Sequence, residues 1–223
     1  MIKSELRKIY LEKQKSLSDV ERNEKSLKLA NRFFENFNLA DISFLHVFLP
    51  IEKNREIETF LIYKRLWQNF PEITTIASRV NFQLMTLENL KFTKDTKLVR
   101  NRWHIFEPME EELIEIEKID AVLVPLLCFD ERGFRVGYGK GFYDKFLSEC
   151  RTDCLKIGLS YFAPTAEITD AADFDVRMDF CLTPEKTWKW KREKVFDDSQ
   201  QTFSPFHFFL FKFFMLAASP SIL

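Results

Sequence analysis

The sequence predicts an α/β fold, a single domain in which a mainly parallel central sheet is flanked by helices. Two observations predict it. Short apolar runs typical of buried strands alternate along the chain with segments of helical period. Four of the five glycines lie between Gly133 and Gly141, after one of these strands and before a helix. Because open α/β sheets bind ligands at such turns, we expect a glycine-rich ligand loop at the carboxyl end of that strand.

The helices are predicted from apolar residues at helical spacing and from capping residues. The spacing predicts a first helix over Lys3–Lys15. Ser18 followed by Glu21 is a capping box, which opens a second helix that reaches about residue 37. The buried stripe expected on this second helix is Leu27, Ala30, Phe33, Phe34 and Phe37. Further helices are expected over 57–70 and 142–147.

Six short apolar runs are predicted as strands. The clearest is 121–124, a run of Ala, Val, Leu and Val that ends at Pro125. The other five are 43–49, 74–77, 82–87, 155–159 and 180–183. Since no linker rich in Pro, Gly or Ser divides the chain, these strands should belong to one sheet.

A change in composition after Lys186 divides the chain into an α/β domain, residues 1–186, and an appended tail, residues 187–223. Within the tail, 206–218 is apolar apart from His207 and Lys212. A membrane-spanning helix needs about 20 apolar residues, so this segment is too short. We expect a docked helix or a disordered segment there rather than a membrane anchor.

Charge and cysteine content exclude several classes of protein. The 33 Lys and Arg residues balance 34 Asp and Glu residues, which argues against a dedicated nucleic-acid-binding protein. A hydrophobic content of 46% is too high for a disordered chain. Four cysteines are too few for a disulfide scaffold, and the N-terminal segment lacks the apolar core of a secretion signal. We therefore expect a cytoplasmic protein with neither a nucleic-acid nor a membrane partner, and we take it to be a monomer.

The glycine-rich loop has the composition of an anion-binding site. Glycines at alternate positions from Gly137 to Gly141 let backbone N–H groups converge on an anion, and the following helix adds unpaired N–H donors. Arg135 and Lys140 supply positive charge. The loop fits neither the P-loop nor the dinucleotide fingerprint, because Gly141 follows Lys140 and position 142 is Phe. A glycine-rich turn without a ligand is the alternative interpretation.

Carboxylates near the loop could complete a phosphate site. Asp144 lies in the first turn of the predicted helix, where its oxygens are placed to hold Mg²⁺. A second acidic cluster precedes the last predicted strand and consists of Asp170, Asp173, Asp175 and Asp179. One of these would share the ion if that strand neighbours the loop. The alternative is that they are solvated turn residues.

The stretch from Pro125 to Asp144 resembles the signature of the 5-formyltetrahydrofolate cyclo-ligase family. It reads PLLCFD and then GFRVGYGKGFYD, against the family pattern P-G-x-x-F-D and G-x-R-L-G-Y-G-x-G-Y-Y-D. The residues that depart from this pattern are Leu126, Val136 and Phe142. Other family elements follow in order over about residues 3–185: a basic first helix, EIET at 56–59, WHIFEP at 103–108 and DVRMD at 175–179.

This resemblance implies an ATP- and Mg²⁺-dependent ligase that converts 5-formyltetrahydrofolate to 5,10-methenyltetrahydrofolate and releases ADP and phosphate. It implies phosphorylation of the formyl oxygen and ring closure by N10. The implied cofactor-binding residues are Lys3, Arg7, Arg135, Val136, Gly137, Tyr138, Gly139, Lys140, Gly141, Phe142 and Tyr143, among which Arg135, Lys140 and Tyr143 are also implied to be catalytic. The implied substrate-binding residues are Leu49, Glu56 and Trp103, with Tyr138, Gly139, Lys140, Gly141 and Phe142 shared between both ligands. Asp144 and Asp175 are the implied Mg²⁺ ligands.

Two other functions remain open from the sequence. A small-molecule kinase could use the same ATP loop and would release a stable phosphorylated product. A non-catalytic folate- or nucleotide-binding relative would keep Glu56 and the aromatic residues but would tolerate the loss of Asp144 or Lys140.

Overall fold

The computed structural model describes residues 1–109, 112–172 and 174–190. The helices in this part of the chain are α1 (Lys3–Lys15), α2 (Asp19–Asn36), α3 (Phe60–Asn69) and α4 (Phe142–Glu149). The strands are β1 (Phe44–Val47), β2 (Thr74–Asn81), β3 (Thr86–Lys91), β4 (Leu98–Arg100), β5 (Phe106–Pro108), β6 (Ala121–Pro125), β7 (Cys128–Phe129), β8 (Arg135–Val136), β9 (Leu155–Leu159), β10 (Phe180–Leu182) and β11 (Thr187–Lys189).

Seven strands form the central sheet, in the order β11-β10-β9-β6-β1-β2-β3. Neighbouring strands from β10 to β2 are parallel, whereas the edge strands β11 and β3 are antiparallel to their neighbours. The predicted α/β class with a mainly parallel sheet is therefore confirmed.

The two faces of the sheet pack against different helices. On β6, Ala121 and Leu123 belong to an apolar cluster with side chains of α2 and α3. The alternate residues Val122 and Val124 belong to a second cluster that contains Phe146 of α4. Because successive side chains of a strand point to opposite faces, β6 is covered on both sides. This burial explains why 121–124 is a continuous apolar run.

The capping box predicted for α2 is present, but its buried stripe differs from the prediction. The Glu21 N–H donates to Ser18 Oγ at 3.2 Å, and the Glu21 carboxylate accepts from the Ser18 N–H at 2.8 Å. Leu27 is 51% exposed, so its place in the predicted stripe is wrong. The buried side chains of α2 are Ser26, Leu29, Ala30 and Phe33. Leu27 lies about 100° around the helix from Ser26, which turns it towards solvent.

The predicted strand 82–87 is largely a turn. Asn81 ends β2, and its side-chain oxygen accepts hydrogen bonds from the N–H groups of Gln83 and Leu84. These bonds reverse the chain, and β3 begins only at Thr86 and pairs antiparallel with β2. Tight reversal by an Asn side chain outweighs the β-propensity of the apolar residues that follow it.

The sheet continues past the domain boundary that the sequence suggested. Strand β11 pairs with β10 although its residues fall within the segment assigned to the tail. The neighbouring Trp190 Nε1 donates to the carbonyl of Glu131 at 2.6 Å, which joins this end of the chain to the α/β body. The Phe-rich segment 206–218 lies outside the described residues. Within the described part of the chain, no helix has the length and apolarity needed to cross a bilayer.

Candidate functional site

A cavity of about 560 Å³ opens at the carboxyl ends of β1, β2 and β6. We call this cavity the cleft. Fifteen of the sixteen site residues named from the sequence line it, and Val136 is the exception. The Val136 side chain is 1% exposed and packs in an apolar cluster with Leu6 and Tyr10 of α1. The fold therefore brings site residues that are as far apart in the sequence as Lys3 and Asp175 together around the cleft.

Helix α1 contacts the glycine-rich loop through the side chain of Arg7. Arg7 Nε donates to the carbonyl of Gly137 at 3.0 Å. Gly139 has a φ of +83°, and a Cβ placed there would lie 2.9 Å from Arg7 Cζ. The left-handed backbone at 139 therefore favours glycine, and a Cβ there would also displace the end of the Arg7 side chain.

Two ion pairs stand at the loop end of the cleft. Lys3 Nζ pairs with Asp175, whose side chain also accepts from the Ala172 N–H at 2.6 Å. Arg135 Nη2 donates to Asp144 Oδ1 at 2.6 Å, and its Nη1 donates to the Val176 carbonyl at 2.7 Å. Burial lowers the pKa of Arg135, and the charges of Asp144 and Asp175 oppose this shift. The charges of Asp144 and Asp175 therefore both favour the charged form of the buried Arg135 guanidinium group.

This donor set fits Mg²⁺ held jointly with phosphate oxygens. No cluster of three or more His, Cys, Asp or Glu side chains suited to a metal occurs among the residues that the structure describes. Mg²⁺ is commonly bound through one or two carboxylates together with substrate phosphates. Asp144 and Asp175 supply that number of carboxylates at the cleft. Asp170 of the acidic cluster instead accepts from the backbone N–H of Lys3 at 2.7 Å, and Asp173 lies outside the described residues.

A buried carboxyl group lies on another side of the cleft. Glu56 is 4% exposed, and its Oε2 accepts from the backbone N–H of Ile51 at 2.6 Å. Burial raises the pKa of Glu56 to about 7, although the Ile51 N–H, the neighbouring Tyr138 hydroxyl and Arg22 oppose the shift. Its Oε1 is buried without a hydrogen-bond partner among the described residues. A ligand that donates hydrogen bonds would satisfy this oxygen.

Gln14 links this carboxyl region to the glycine-rich loop, and the sequence interpretation did not identify it. Its Nε2 donates to the Asn54 carbonyl at 2.7 Å and to the Tyr138 hydroxyl at 3.0 Å. Gln14 is 3% exposed and continues the buried face of α1 formed by Leu6 and Tyr10. The sequence did contain a signal for Gln14: it is a polar residue at the third position of an i, i+4, i+8 series whose first two members, Leu6 and Tyr10, are apolar.

An aromatic wall closes the side of the cleft formed by the β4–β5 hairpin. Trp103 packs edge-to-face against Phe82, with ring centroids 4.7 Å apart, and against Phe142 at 5.9 Å. Lys140 Nζ lies 5.7 Å from the centroid of the Trp103 ring. The phenylalanine at 142, which departs from the family pattern, therefore takes part in the wall through its ring alone.

Glu107 holds this hairpin against the main sheet. The side chain is 5% exposed, and its Oε1 accepts from the Val80 N–H at 2.9 Å and from Asn101 Nδ2 at 2.7 Å. Burial raises the pKa of Glu107, and these two hydrogen bonds oppose the shift. Strands β4 and β5 were not predicted, because runs of three residues carry too little periodicity to be recognised.

The raised pKa of Glu56 predicts a pH-dependent stability that replacement by glutamine removes. The folded state favours the protonated carboxyl, so the contribution of Glu56 to stability is greatest below about pH 4.5 and is lost as the pH rises through about 7. A shift of this size corresponds to about 3 kcal/mol. We expect Glu56→Gln to become more stable relative to the wild type by up to that amount between pH 4.5 and pH 8.

Urea unfolding of both proteins without ligand, at several pH values, measures this difference. The exposed Glu117 provides a matched control, since Glu117→Gln should show no comparable trend with pH. A Glu56→Gln difference that is constant from pH 4.5 to pH 8 would contradict the prediction.

The chain is similar in sequence to known proteins of one family. Residues 1–184 match the sequence model described as the 5-formyltetrahydrofolate cyclo-ligase family. The chain is 24% identical to the 5-formyltetrahydrofolate cyclo-ligase of Escherichia coli K12 over 182 residues, which is 80% of this chain and 98% of that protein. It is 28% identical to the enzyme of that name from Mycoplasma genitalium over 184 residues, 80% of this chain and 97% of that protein.

Two solved structures are also similar to this chain. The 5,10-methenyltetrahydrofolate synthetase of Aquifex aeolicus superposes with a TM-score of 0.74 at 25% identity, covering 93% of this chain and all of that one. The 5,10-methenyltetrahydrofolate synthetase of Mycoplasma pneumoniae gives a TM-score of 0.64 at 24% identity, covering 81% and 98% of the two chains. The second similarity concerns the fold alone.

Proposed function

The chain belongs to the 5-formyltetrahydrofolate cyclo-ligase family, and on that premise we propose that its cleft converts 5-formyltetrahydrofolate to 5,10-methenyltetrahydrofolate at the expense of ATP. One observation carries the proposal. The cleft joins a cation-bearing glycine loop and two carboxylates at one side to a buried carboxyl and an aromatic wall at another. The first set suits a metal-bound polyphosphate, and the second suits a flat heterocycle that donates hydrogen bonds.

The chemistry requires activation of a poor leaving group. The formyl oxygen of the substrate attacks the γ-phosphorus of ATP, the bond from that phosphorus to the ADP oxygen breaks, and ADP leaves. N10 then attacks the activated carbon and loses its proton. The electrons of the carbon–oxygen bond leave with phosphate, and the five-membered ring of the product is closed. Such a reaction depends mainly on positioning and on neutralisation of phosphate charge.

The loop end of the cleft would perform that neutralisation. Lys3 and Arg7 approach it from α1, and Lys140 approaches it from the loop, with the backbone of Gly137 to Gly141 as a cradle for phosphate oxygens. Bound Mg²⁺ would reduce the negative charge that the formyl oxygen meets as it approaches the γ-phosphate. Asp144 and Asp175 would hold that ion, and Arg135 would keep Asp144 in place through the bond at 2.6 Å.

The opposite side would bind and orient the folate. Glu56 would accept N–H groups of the pterin, which favour the ionised carboxylate and so lower its raised pKa on binding. Trp103 and Leu49 would cover the flat ring system, and Phe142 would back Trp103. Tyr143 packs against His46 beneath this region, and burial raises its pKa, so its hydroxyl would remain protonated and available as a donor.

Absorbance of the methenyl chromophore tests the proposal directly. Purified protein mixed with 5-formyltetrahydrofolate and MgATP should produce this absorbance together with equal amounts of ADP and phosphate. Reactions without ATP, or with Mg²⁺ chelated, should produce neither. Folate binding with ATP left intact would contradict the proposed reaction, and so would ADP formed together with a stable phosphorylated folate.

A further inference from the structure

A polar pair that none of the assignments above uses reaches the cleft through Ser78. His46 of β1 and Ser78 of β2 are joined by a hydrogen bond of 2.6 Å between Nε2 and Oγ. His46 lies opposite Ile76 in the parallel register, so Ser78 is two residues further along and on the same face of the sheet. Ser78 is half-buried and lines the cleft.

The environment of His46 fixes its charge. The side chain is fully buried, with the rings of Phe146 at 5.0 Å and Tyr143 at 6.1 Å between centroids. Burial lowers the pKa of His46 to about 3. The imidazole is therefore neutral at physiological pH and carries one proton, on either Nδ1 or Nε2.

Hydrogen bonding selects between these two positions. The contact of the His46 ring with its own backbone carbonyl opposes the lowering of its pKa but does not have hydrogen-bond geometry, so Nδ1 is buried without a hydrogen-bond partner in the part of the chain that the structure describes. An unpaired buried N–H is rarer than an unpaired buried acceptor, so Nδ1 is the bare nitrogen and Nε2 carries the proton. Nε2–H then donates to Ser78 Oγ, and the Ser78 hydroxyl proton is free to point elsewhere.

From this geometry we propose that Ser78 donates a hydrogen bond to bound folate and that His46 is the positioning residue that aims its hydroxyl. The acceptor on the folate would be a carbonyl oxygen or a ring nitrogen. This inference rests on the proposed function for the identity of the ligand. It adds a neutral hydroxyl donor to a cleft in which Glu56 and Glu107 are buried carboxyls.

Binding measurements on a set of variants test the inference. Ser78→Ala should weaken the affinity for 5-formyltetrahydrofolate about fivefold, the effect of one neutral hydrogen bond, and should leave the affinity for MgATP unchanged. Ser148→Ala is a matched control, because its hydroxyl is exposed on α4 and bonds only the Lys145 carbonyl at 2.7 Å among the described residues.

A double variant separates ligand binding from structure. Ser78→Ala alone leaves a buried N–H of His46 without a partner and should lower the melting temperature. Adding His46→Phe removes that N–H within an aromatic environment and should restore the melting temperature. If Ser78 contacts the ligand, affinity stays low in the double variant; if the pair is only structural, affinity returns with stability and the inference is overturned.

Two further results would also decide the matter. The ¹⁵N spectrum of His46 should show a neutral imidazole protonated at Nε2, and protonation at Nδ1 would overturn the donor assignment. Wild-type protein that binds 5-formyltetrahydrofolate no better than Ser78→Ala would overturn the inference alone. Wild-type protein that does not bind this folate at all would overturn the proposed function as well.

Discussion

Asp144→Ala is expected to lower kcat about a thousandfold and to abolish the dependence of the remaining activity on Mg²⁺. Asp144 is one of two carboxylates at the loop end of the cleft, and if it holds Mg²⁺ as proposed, its loss would remove several kcal/mol of transition-state stabilisation. Its Oδ1 also neutralises Arg135, whose side chain is 4% exposed. Alanine would leave that guanidinium group buried without this partner.

A conservative variant separates these two effects. Asp144→Asn keeps an oxygen that accepts from Arg135, so it should unfold at nearly the wild-type urea concentration and still lose most of its turnover. The measurements are initial rates of methenyl absorbance across a Mg²⁺ titration and urea unfolding of each variant.

The α2 helix supplies a control of matched chemistry. Asp19 also lies in the first turn of a helix and pairs with an arginine, Arg55, at 2.7 Å, but it does not line the cleft. Asp19→Asn should keep wild-type kcat and wild-type Mg²⁺ dependence. Normal turnover in Asp144→Asn would show that Asp144 does not hold the metal.

Gly158→Val is expected to lower the free energy of unfolding by about 3 kcal/mol, which is at the upper end for overpacking of a core. Gly158 is the glycine that lies outside the loop, and it sits in β9 between β6 and β10. A Cβ there would collide with Met178 Sδ, and it would lie 2.7 Å from Leu126 Cδ2 and 3.1 Å from Cys181 Sγ. These side chains already fill the space above the glycine.

Gly137 provides the comparison, because it lies in the loop with space around it. No described atom lies within 4 Å of a Cβ built at Gly137, and its φ is not positive. Gly137→Ala should therefore change the unfolding free energy by less than about 0.5 kcal/mol. Urea unfolding of both variants at one pH measures the contrast. Equal stability of Gly158→Val and the wild type would mean that the β9 core can relax around added volume.

Leu126 illustrates how a departure from a sequence pattern is explained by packing. The family pattern has glycine after Pro125, and this chain has leucine, which is 4% exposed. Its side chain belongs to the apolar cluster with Phe129, Met178 and Cys181 and covers Gly158. The sequence showed the substitution, but only the structure shows that the added side chain occupies core volume away from the loop.

The site residues likewise divide into those that the sequence identified and those that only the structure revealed. Residues of the loop were identified because glycine spacing, cations and Asp144 lie within a few positions of one another. Lys3 was named as a site residue only through the family resemblance, which also selected Asp175 from the acidic cluster. The structure joins the two in an ion pair although 172 positions separate them. Ser78 and His46 were missed, because a buried hydrogen bond between neighbouring strands leaves no periodic pattern in the sequence. Gln14 was missed although it continues the helical series of Leu6 and Tyr10.

The sequence by itself determined the α/β class, the capping box of α2 and the buried strand β6. Each of these depends on the period or capping of residues close together in the chain. The tertiary structure alone decided the strand order, the contact of Arg7 with the loop, the exposure of Leu27 and the pairing of His46 with Ser78. Those features depend on which distant segments become neighbours, and that choice is made by burying whole faces of helices and sheet rather than by any local pattern.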